Sequence, residues 1–375
     1  MPTDEKTVLL AHGSGGIMMH ELIESFFDSY NSEELQSGDD AAVLSIKETS
    51  GSPKDTTSSK IAFSTDTFVV TPHFFPGGDI GRLAVCGTVN DVATSGAVPR
   101  WLSVGFILEE GYPLEDLKRV CSSIAQAAEE AGVEIVTGDT KVVDRGHGDG
   151  IYINTCGIGV FEQDLTLGGA QCRPGDTILL SGTLGDHGIT IISTREGLSF
   201  SVPLESDAAP LNHLVQEVLR AAPNTRCFRD PTRGGLASTV NELAGQSNTV
   251  FEIDEDAVPV KDEVRGACDM LGFDVFQVAN EGKMVAVVPA DEADAALAAM
   301  CASRYGADAA IIGEVTAPSE TAALGAATTP GAATTPSVAT TPKTQGNIAR
   351  AYVRTAYGSR RILDMLTGEQ LPRIC

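Results

Sequence analysis

Basic residues are scarce in this sequence: 26 Lys and Arg stand against 51 Asp and Glu among 375 residues, a formal net charge of −25. Such an acidic surface repels nucleic acid phosphates and anionic lipids, so we expect neither nucleic acid nor a membrane as a partner. It also repels free nucleotides. A phosphate-bearing substrate therefore needs Mg²⁺, or a local group of basic side chains and helix N-termini, in order to bind.

Paired cysteines and long apolar runs are also missing. The eight cysteines include no CxxC pair and no Cys/His cluster at metal-binding spacing, which argues against a zinc site. The first ten residues are charged and lack the apolar stretch of a signal peptide, and no apolar run approaches the length of a membrane span. We therefore expect a cytoplasmic protein whose thiols stay reduced.

Several familiar site motifs are absent: there is no GxxxxGK[ST] phosphate loop, no GxGxxG after a strand, no HExxH and no GxSxG. What remains is a set of carboxylates in apolar or Gly-rich surroundings, namely Asp40, Asp66, Asp91, Asp139 and Asp230. Taken singly, each is more often a turn or cap residue. Together they are too many to bury without cations, and Mg²⁺ prefers such oxygen ligands and bridges them to phosphates.

A glycine-rich segment, His12-Gly-Ser-Gly-Gly16, precedes an amphipathic helix pattern. Dense glycines let a backbone approach a ligand closely and aim several N–H groups at it, although a flexible loop is an equal alternative. His12 and His187 both lie among glycines and are candidates for contact with phosphates or for capping. With Arg233 and the carboxylates, these features favour an ATP site without a phosphate loop.

The chain ends on a cysteine, Cys375. Pro372 cannot continue a helix running through 361–366, so we expect the tail to leave the fold there and not to pack into a core. Fully extended from Thr367 at about 3.3 Å per residue, it would carry the thiol roughly 30 Å. We interpret this tail as a swinging arm, with a frayed terminus as the alternative.

Strand and helix patterns alternate in two units, which predicts an α/β (α+β) fold of two domains. We place an N-terminal ATP-binding and dimerisation domain at 1–165, a C-terminal α/β domain at 166–358, and a C-terminal helix with a mobile tail at 359–375. The low-complexity Thr-Pro repeat at 317–347 is expected to be a disordered insertion, in a hairpin with strands at 310–315 and 350–357. Another polar stretch, 47–60, is expected to be a hairpin loop.

Seven motifs together resemble the HypE family of hydrogenase maturation proteins, which are carbamoyl dehydratases. They are His12–Gly16, Phe75–Gly81, Leu83–Asp91, Thr137–Val143, Arg229–Gly235, Ala279–Lys283 and Pro372–Cys375. The resemblance covers nearly the whole chain except 48–59 and 317–347, and the terminal Pro-Arg-Ile-Cys is its most specific part. The Gly- and Asp-rich motifs are shared with enzymes similar to aminoimidazole ribonucleotide synthetase, selenophosphate synthetase and thiamine monophosphate kinase.

The resemblance implies a fold of the aminoimidazole ribonucleotide synthetase type that binds ATP and Mg²⁺ at a cleft between two chains of a homodimer. The Cys375 thiol would receive a carbamoyl group from HypF. ATP would then phosphorylate the carbamoyl oxygen, and loss of phosphate would leave a thiocyanate. The cyanide would pass to iron held by a HypC and HypD complex, for nickel-iron hydrogenase.

From the set of carboxylates and the matching motifs together, we expect nucleotide-binding residues at Gly13, Gly15, Gly16, Asp40, Asp66, Asn90, Asp91, Gly138, Asp139, Thr140, Asp230, Arg233 and Asn280. The five aspartates are also the expected Mg²⁺ ligands. Dehydration of an amide needs a better leaving group than hydroxide, which phosphorylation supplies, and a base for the carbamoyl nitrogen. We assign the base to Glu281 with Lys141 as its partner, and a structural ion pair is the alternative.

Three other functions stay open. A selenophosphate synthetase would require a reactive cysteine in the N-terminal Gly-rich region, and no cysteine precedes Cys86. A synthetase or kinase acting on a free small molecule leaves the terminal cysteine unexplained. A non-catalytic nucleotide-binding scaffold that presents Cys375 would differ from an enzyme in showing no ATP turnover that depends on a carbamoylated tail.

Overall fold

Two large β-sheets, each packed against helices, organise the chain. The computed structural model describes residues 7–13, 15–30, 34, 37–46, 59–198, 202–318, 351–366, 371 and 373–375. The helices are α1 (Ile17–Tyr30), α2 (Ile80–Thr94), α3 (Leu114–Ala131), α4 (Asp186–Glu196), α5 (Asn212–Ala221), α6 (Gly235–Ser247), α7 (Asp262–Leu271) and α8 (Ala293–Ala302). The strands are β1 (Ala42–Ile46), β2 (Ser59–Phe68), β3 (Phe74–Phe75), β4 (Gly78–Asp79), β5 (Val98–Glu109), β6 (Glu134–Val143), β7 (Ile151–Val160), β8 (Asp176–Leu180), β9 (Cys227–Arg229), β10 (Val250–Asp254), β11 (Val285–Pro289), β12 (Ala310–Thr316), β13 (Ala351–Arg354) and β14 (Arg360–Ile362).

The first sheet has the order β1-β2-β7-β5-β6, with β5 and β6 parallel and the other neighbours antiparallel. Burial alternates along β7, because successive side chains of a strand point to opposite faces. The inner face packs against α2, which is buried along nearly its whole length. This helix begins after Asp79, whose carboxylate accepts hydrogen bonds from the N–H groups of Gly81 and Arg82.

The outer face of the first sheet carries exposed apolar side chains. Phe63, Trp101 and Ile107 are each about 40% exposed, at 38%, 41% and 45%. Strand β6 forms one edge of the sheet, and its pairing places Lys141 beside Ile107 and Asp139 beside Gly105 on this same face. The outer face is thus an apolar surface bordered by an acidic and a basic group.

The second sheet has the order β14-β13-β10-β12-β8-β11-β9, with β10 and β13 parallel and the other neighbours antiparallel. Successive side chains of β8 point to opposite faces of the sheet. Ile178 joins a core with Val240 of α6, whereas Leu179 joins a core with Val215 of α5 and with α8. Helices therefore cover both faces of this sheet.

A further core joins the two halves of the molecule. It contains side chains of α2 and α3, Ile189 of α4, and Leu371, Ile374 and Cys375 of the C-terminal tail. The expectation that the tail leaves the fold is wrong for these residues: their apolar side chains find a groove between the halves, and burial of apolar surface outweighs fraying.

Other details also differ from the sequence predictions. The helix predicted over 361–366 is absent, since β14 occupies Arg360–Ile362 and residues 363–366 are not helical. The predicted hairpin of 310–315 with 350–357 does not form, because β12 and β13 lie on opposite sides of β10. Strand β6 extends to Val143 and therefore includes Asp139.

The predicted hairpin of β1 and β2 is confirmed by their antiparallel pairing, although its loop at 47–58 lies outside the described residues. Most of the 317–347 repeat also lies outside them. Among the helices that the structure describes, none combines the length and the apolar character that crossing a membrane requires. The domain boundaries at 165 and 358 stay predictions.

Candidate active site

Three of the five predicted metal ligands meet at the junction of the two sheets. Asp40 precedes β1, Asp91 lies on α2 and Asp230 follows β9, and one carboxylate oxygen from each lies within 4.8 Å of the others. The Oδ2 atom of Asp40 is buried and has no hydrogen-bond partner among the residues that the structure describes. An orphaned oxygen among three carboxylates fits a divalent cation with oxygen ligands.

The electrostatics of this cluster fit the same interpretation. Burial raises the pKa of Asp91 well above its usual range, and repulsion from Asp66, Asp230 and Asp40 raises it further. Burial also raises the pKa of Asp230 to about 6, despite the neighbouring Arg229. Crowded, desolvated carboxylates favour protonation, and a cation removes that penalty when it binds.

Two hydroxyl groups and one guanidinium hold the cluster in place. Ser64 donates to Asp91 Oδ2 at 2.9 Å. Thr88 donates to Asp66 Oδ2 at 2.7 Å and so holds Asp66 next to the cluster. Asp66 does not belong to the three carboxylates whose oxygens are close enough to share one ion. Arg229 places its Nε 3.0 Å from Asp40 Oδ1. Each support fixes a carboxylate from the side, which leaves the remaining oxygens for a ligand.

Next to the cluster lies a cleft of about 590 Å³. Gly15, Asp40, Asp230 and Arg233 are among its lining residues. Gly15 has φ +78°, and a Cβ there would lie 2.5 Å from the backbone carbon of Arg233, so only glycine permits this close docking. The glycine-rich segment and the Arg233 turn therefore form one wall together.

The remaining predicted residues of these two motifs are placed as follows. A Cβ at Gly13 would have no atom of the described residues within 4 Å. A Cβ at Gly16, in contrast, would lie 2.4 Å from the Leu366 carbonyl oxygen. Helix α6 begins at Gly235. Asp230 and Arg233 thus lie on the loop that precedes α6.

The terminal cysteine is docked beside this cluster. Cys375 is 9% exposed, and its terminal carboxylate accepts a hydrogen bond from Val69 N–H at 3.0 Å. Burial raises the pKa of its thiol to about 12; Arg233 acts in the lowering direction and Glu281 in the raising direction. The cation that lowers the thiol pKa is thus Arg233, which is distant in sequence. The docked thiol is therefore protonated and a poor nucleophile.

Glu281, the predicted catalytic base, is a buried carboxylic acid. It is 3% exposed, and within the described part of the chain its Oε1 has no hydrogen-bond partner. Burial raises its pKa well above the usual range, with further increases from Asp230 and Asp207 and a decrease from Arg233. The N–H group of Glu281 donates to Asp207 Oδ1 at 3.0 Å, which fixes its backbone. An unpaired, desolvated carboxylate of this kind is well suited to accept a proton.

Two predicted nucleotide-binding residues, Asn90 and Asn280, form hydrogen bonds with other residues of the chain. Asn90 donates to the Ala209 carbonyl and accepts from Leu211 N–H. Asn280 accepts from Gly185 N–H and donates to the Pro231 carbonyl. Both side chains tie together the loops around the site, and direct contact with a nucleotide stays a prediction for them.

The predicted residues on β6 lie apart from the cluster in this chain. Lys141 pairs with Asp139 at 2.6 Å, both side chains are about 70% exposed, and Thr140 donates its N–H to Asp139 Oδ1. The expected pair of Lys141 with Glu281 does not form within the chain. A Cβ at Gly138 would lie 2.3 Å from the Val104 carbonyl oxygen, so this glycine is required by the close approach of β5 and β6.

Three residues that shape the site, Arg229, Asp207 and Ser206, were not predicted from the sequence. Arg229 binds both Asp40 and Glu242, and its position next to Asp230 was the available signal. Asp207 holds Glu281 and pairs with Lys283 at 3.0 Å, but it lies in a stretch without a pattern. Ser206 contacts His187, a histidine that binds the tail, whereas His12 interacts locally with Leu9.

Comparison with known families agrees with this architecture. Residues 38–161 match the AIR synthase related protein, N-terminal domain, and residues 173–324 match the AIR synthase related protein, C-terminal domain. The chain is thus an AIR synthase-related protein with a two-domain fold of mixed helix and sheet, and its acidic cluster lies where the two sheets meet.

More similar proteins define the family within this class. The chain is 47% identical to carbamoyl dehydratase HypE of Azotobacter vinelandii over 370 residues, which cover 98% of this chain and 97% of the relative. A crystal structure of hydrogenase maturation protein HypE in complex with ATP has a TM-score of 0.75 at 46% identity and covers 98% of this chain and 100% of that one. A HypE-HypF complex has a TM-score of 0.79 at 41% identity, with coverage of 94% and 100%. The chain belongs to the HypE family.

Proposed function

We propose that this chain dehydrates a carbamoyl group carried on Cys375, converting a thiocarbamate to a thiocyanate with ATP. The observation that carries the proposal is the docked tail. It places the terminal thiol where it interacts with Glu281, Arg233 and Asp230, next to the carboxylate cluster. The relatives named carbamoyl dehydratase support the reaction, and the HypE complex with ATP supports the nucleotide.

The phosphate end of ATP would bind in the cleft beside the cluster. Asp40, Asp91 and Asp230 would hold Mg²⁺, which supplies positive charge that binds and polarises phosphate oxygens. Arg233 lines the cleft and offers a further cation, and the Gly15 wall lets backbone approach closely. The acidic surface as a whole would otherwise repel the nucleotide.

The chemistry balances as a dehydration coupled to ATP. The carbamoyl oxygen attacks the γ-phosphorus, ADP leaves, and the nitrogen loses one proton, giving an O-phosphorylated imidate on sulfur. Loss of the second N–H proton with inorganic phosphate then forms the C≡N bond. Positioning of the oxygen in line with the γ-phosphate supplies most of the catalysis, because the transferring group needs little covalent help.

Glu281 would take the protons from nitrogen. Its carboxyl is buried with an unpartnered Oε1, and its raised pKa makes it a stronger base than an exposed glutamate. Arg233 opposes that rise and would also stabilise the negative charge of the transferring phosphoryl group.

The Cys375 thiol would receive its carbamoyl group outside this site. In its docked position Cys375 is buried and its pKa is raised, so attack on a carbamoyl donor requires the tail to leave the site. We propose HypF as the donor, in line with the HypE-HypF complex, and a HypC and HypD complex with its iron as the cyanide acceptor. The reaction would take place in the cytoplasm.

We further propose that the active unit is a homodimer. The outer face of the first sheet presents Phe63, Trp101 and Ile107 to solvent, an apolar surface of the kind that a second copy covers. Asp139 and Lys141 lie on that face and would complete the partner's nucleotide site and support its Glu281. The proposed domains remain 1–165, 166–358 and the tail at 359–375.

Intact mass spectrometry tests the function. The protein is incubated with active HypF, carbamoyl phosphate, ATP and Mg²⁺, and the C-terminal peptide is sequenced. We expect a carbamoyl-sized addition on Cys375 that loses the mass of one water when further ATP is supplied. An unmodified Cys375 would contradict the proposal and favour a free-substrate synthetase or a scaffold.

A further inference from the structure

A buried histidine of α4 holds the C-terminal tail. His187 is fully buried, and its Nε2 lies 2.7 Å from the carbonyl oxygen of Ile374, the residue before the terminal cysteine. A carbonyl oxygen only accepts hydrogen bonds, so Nε2 must carry a proton and donate it. The contact joins residues 187 positions apart in sequence, one of them in the tail that carries the reactive thiol.

The other ring nitrogen fixes this tautomer. His187 Nδ1 lies 2.8 Å from Ser206 Oγ, which itself accepts the N–H of Ala208 at 3.2 Å. Burial lowers the pKa of His187, so the ring is neutral and Nδ1 has no proton. Ser206 must then donate to Nδ1. The hydrogen bonds run in one direction, from Ala208 through Ser206 and His187 to the Ile374 carbonyl.

The loop that carries Ser206 also carries a support of the candidate base. Asp207, the next residue, accepts the backbone N–H of Glu281 at 3.0 Å. This loop is anchored in turn, because Ser206 N–H donates to the Pro76 carbonyl at 2.8 Å. One short loop therefore sets the position of the tail on one side and of Glu281 on the other.

Other contacts hold the residues on either side of Ile374. Val69 donates its backbone N–H to the terminal carboxylate of Cys375, and Thr71 donates its backbone N–H to the Arg373 carbonyl, to which Arg195 also donates. These contacts pair the tail with the segment that follows β2. His187 adds a hydrogen bond from the opposite side, to the carbonyl between those two, and so sets the rotation of the last peptide unit.

We propose that His187, oriented by Ser206, is a positioning residue that holds the Ile374 carbonyl and so keeps the loaded Cys375 side chain beside Glu281 during dehydration. The inference rests on the proposed function for its catalytic consequence, whereas the holding of the tail stands on geometry alone. A misplacement of about 1 Å at a reacting group can slow a reaction about 100-fold, so one well-placed hydrogen bond has a large effect on rate.

Three variants separate positioning from simple packing. His187→Leu replaces the ring with an apolar side chain of moderate volume and removes the Nε2–H donor. His187→Gln keeps an N–H group near the position of Nε2. Ser206→Ala leaves the ring in place and removes the group that fixes its tautomer.

The first measurement is the alkylation rate of Cys375 by iodoacetamide without ATP, with exposed Cys121 as the internal reference. We expect His187→Leu to raise the Cys375 rate at least about tenfold, because the thiol becomes accessible and its pKa falls towards the usual value. Cys121 should react as in the wild type. His187→Gln should stay within a few-fold of wild type, and Ser206→Ala should fall between the two.

The second measurement is the single-turnover rate of water loss from the carbamoylated protein. We expect a slowing of roughly 100-fold in His187→Leu and much less in His187→Gln. Wild-type alkylation of Cys375 in His187→Leu, or equal effects of Leu and Gln, would overturn the proposal. If His187→Leu does not fold, as judged by thermal melting, Ser206→Ala decides by the same two readouts. A wild type that never loses water refutes the proposed function, and the alkylation rates still decide whether His187 holds the tail.

Discussion

The buried carboxylate cluster and the exposed edge strand β6 differ in how complete they are, although both carry residues predicted for one nucleotide site. Asp40, Asp91 and Asp230 converge within 4.8 Å from three separate parts of the chain. Asp139 and Lys141 instead lie at the edge of a sheet, where they form an ion pair with each other at 2.6 Å. In the proposed homodimer, folding of one chain would assemble the carboxylate half of the site, and a second copy would supply the half that carries Asp139 and Lys141.

The two regions also differ in their internal energetics. The buried carboxylates repel one another, and their pKa values are raised, so the free energy of folding is less favourable there until a cation binds. In the exposed pair, the hydrogen bond from Lys141 lowers the pKa of Asp139, and solvent screens its interaction with other charges. Electrostatic repulsion in the carboxylate cluster is expected of a ligand site that lacks its ligand. The exposed Asp139–Lys141 pair shows no such repulsion, as expected of residues that act on another subunit.

The largest effect is expected from the buried region, in the variant Cys375→Ser. A hydroxyl group is far less nucleophilic than a thiolate, so no carbamoyl group should load and activity should be lost completely. Phosphate release that depends on the carbamoyl donor measures this, with Cys121→Ser as the control at an exposed cysteine. Full turnover in Cys375→Ser would mean that the substrate is free.

Glu281→Gln should have the next largest effect. The amide fills the same space and cannot accept a proton, so the single-turnover rate of water loss should fall by roughly 10²–10⁴. Loading of Cys375 should be unchanged, since it takes place away from this site. Glu115→Gln, at an exposed glutamate of α3, is the matched control. An unchanged rate would remove Glu281 from the mechanism.

Subunit mixing tests whether β6 acts on the partner's site. Lys141→Ala and Glu281→Gln should each be nearly inactive alone. In mixed dimers, one of the two sites combines an intact Glu281 with the partner's intact Lys141. Equal mixing should therefore recover about a quarter of wild-type activity, from half the dimers and half their sites. No recovery, with mixed dimers shown to form, would mean that both residues act within one chain.

The smallest effect concerns the pH dependence of stability. The pKa of Asp230 is raised by burial from 3.8 to about 6, so the native state binds this proton more tightly than the unfolded chain. Its contribution to stability is present at low pH and is lost as the pH rises through about 6. Relative to wild type without Mg²⁺, Asp230→Asn should therefore gain roughly 1–3 kcal/mol between about pH 4 and pH 8.

Urea unfolding in EDTA measures this difference. Saturating Mg²⁺ should stabilise the wild type and have little effect on Asp230→Asn, because a cation that binds only the native state shifts the equilibrium towards it. A difference between the two proteins that does not change with pH would contradict the proposed strain in the cluster.

The sequence was sufficient for the alternating elements and for much of the cluster. Alternating strand and helix patterns predicted two α/β units, and carboxylates in apolar surroundings, such as Asp66, pointed to a polar site. The sequence did not specify how strands pair when the partner strand lies far away in the chain. Strand β13 pairs with β10 instead of its expected neighbour β12, and no local pattern specifies that choice.

The tail shows the same limit more clearly. Pro372 predicted a release from structure, but Leu371 and Ile374 are apolar and pack against a groove formed by α4 and the segment after β2. Since that groove exists only in the folded protein, the tail sequence alone could not reveal it. The roles of His187 and Asp207 were missed for the same reason, because each acts through a residue distant in sequence.

The most direct test of the mechanism follows the carbamoyl oxygen. The tail is loaded with a carbamoyl group that carries a heavy-oxygen label, ATP and Mg²⁺ are added for a single turnover, and the released phosphate is analysed by mass spectrometry. If the carbamoyl oxygen attacks the γ-phosphorus beside the buried cluster, one labelled oxygen should appear in each phosphate. Label found in water, with unlabelled phosphate, would contradict phosphorylation of the carbamoyl group and with it the proposed role of this site.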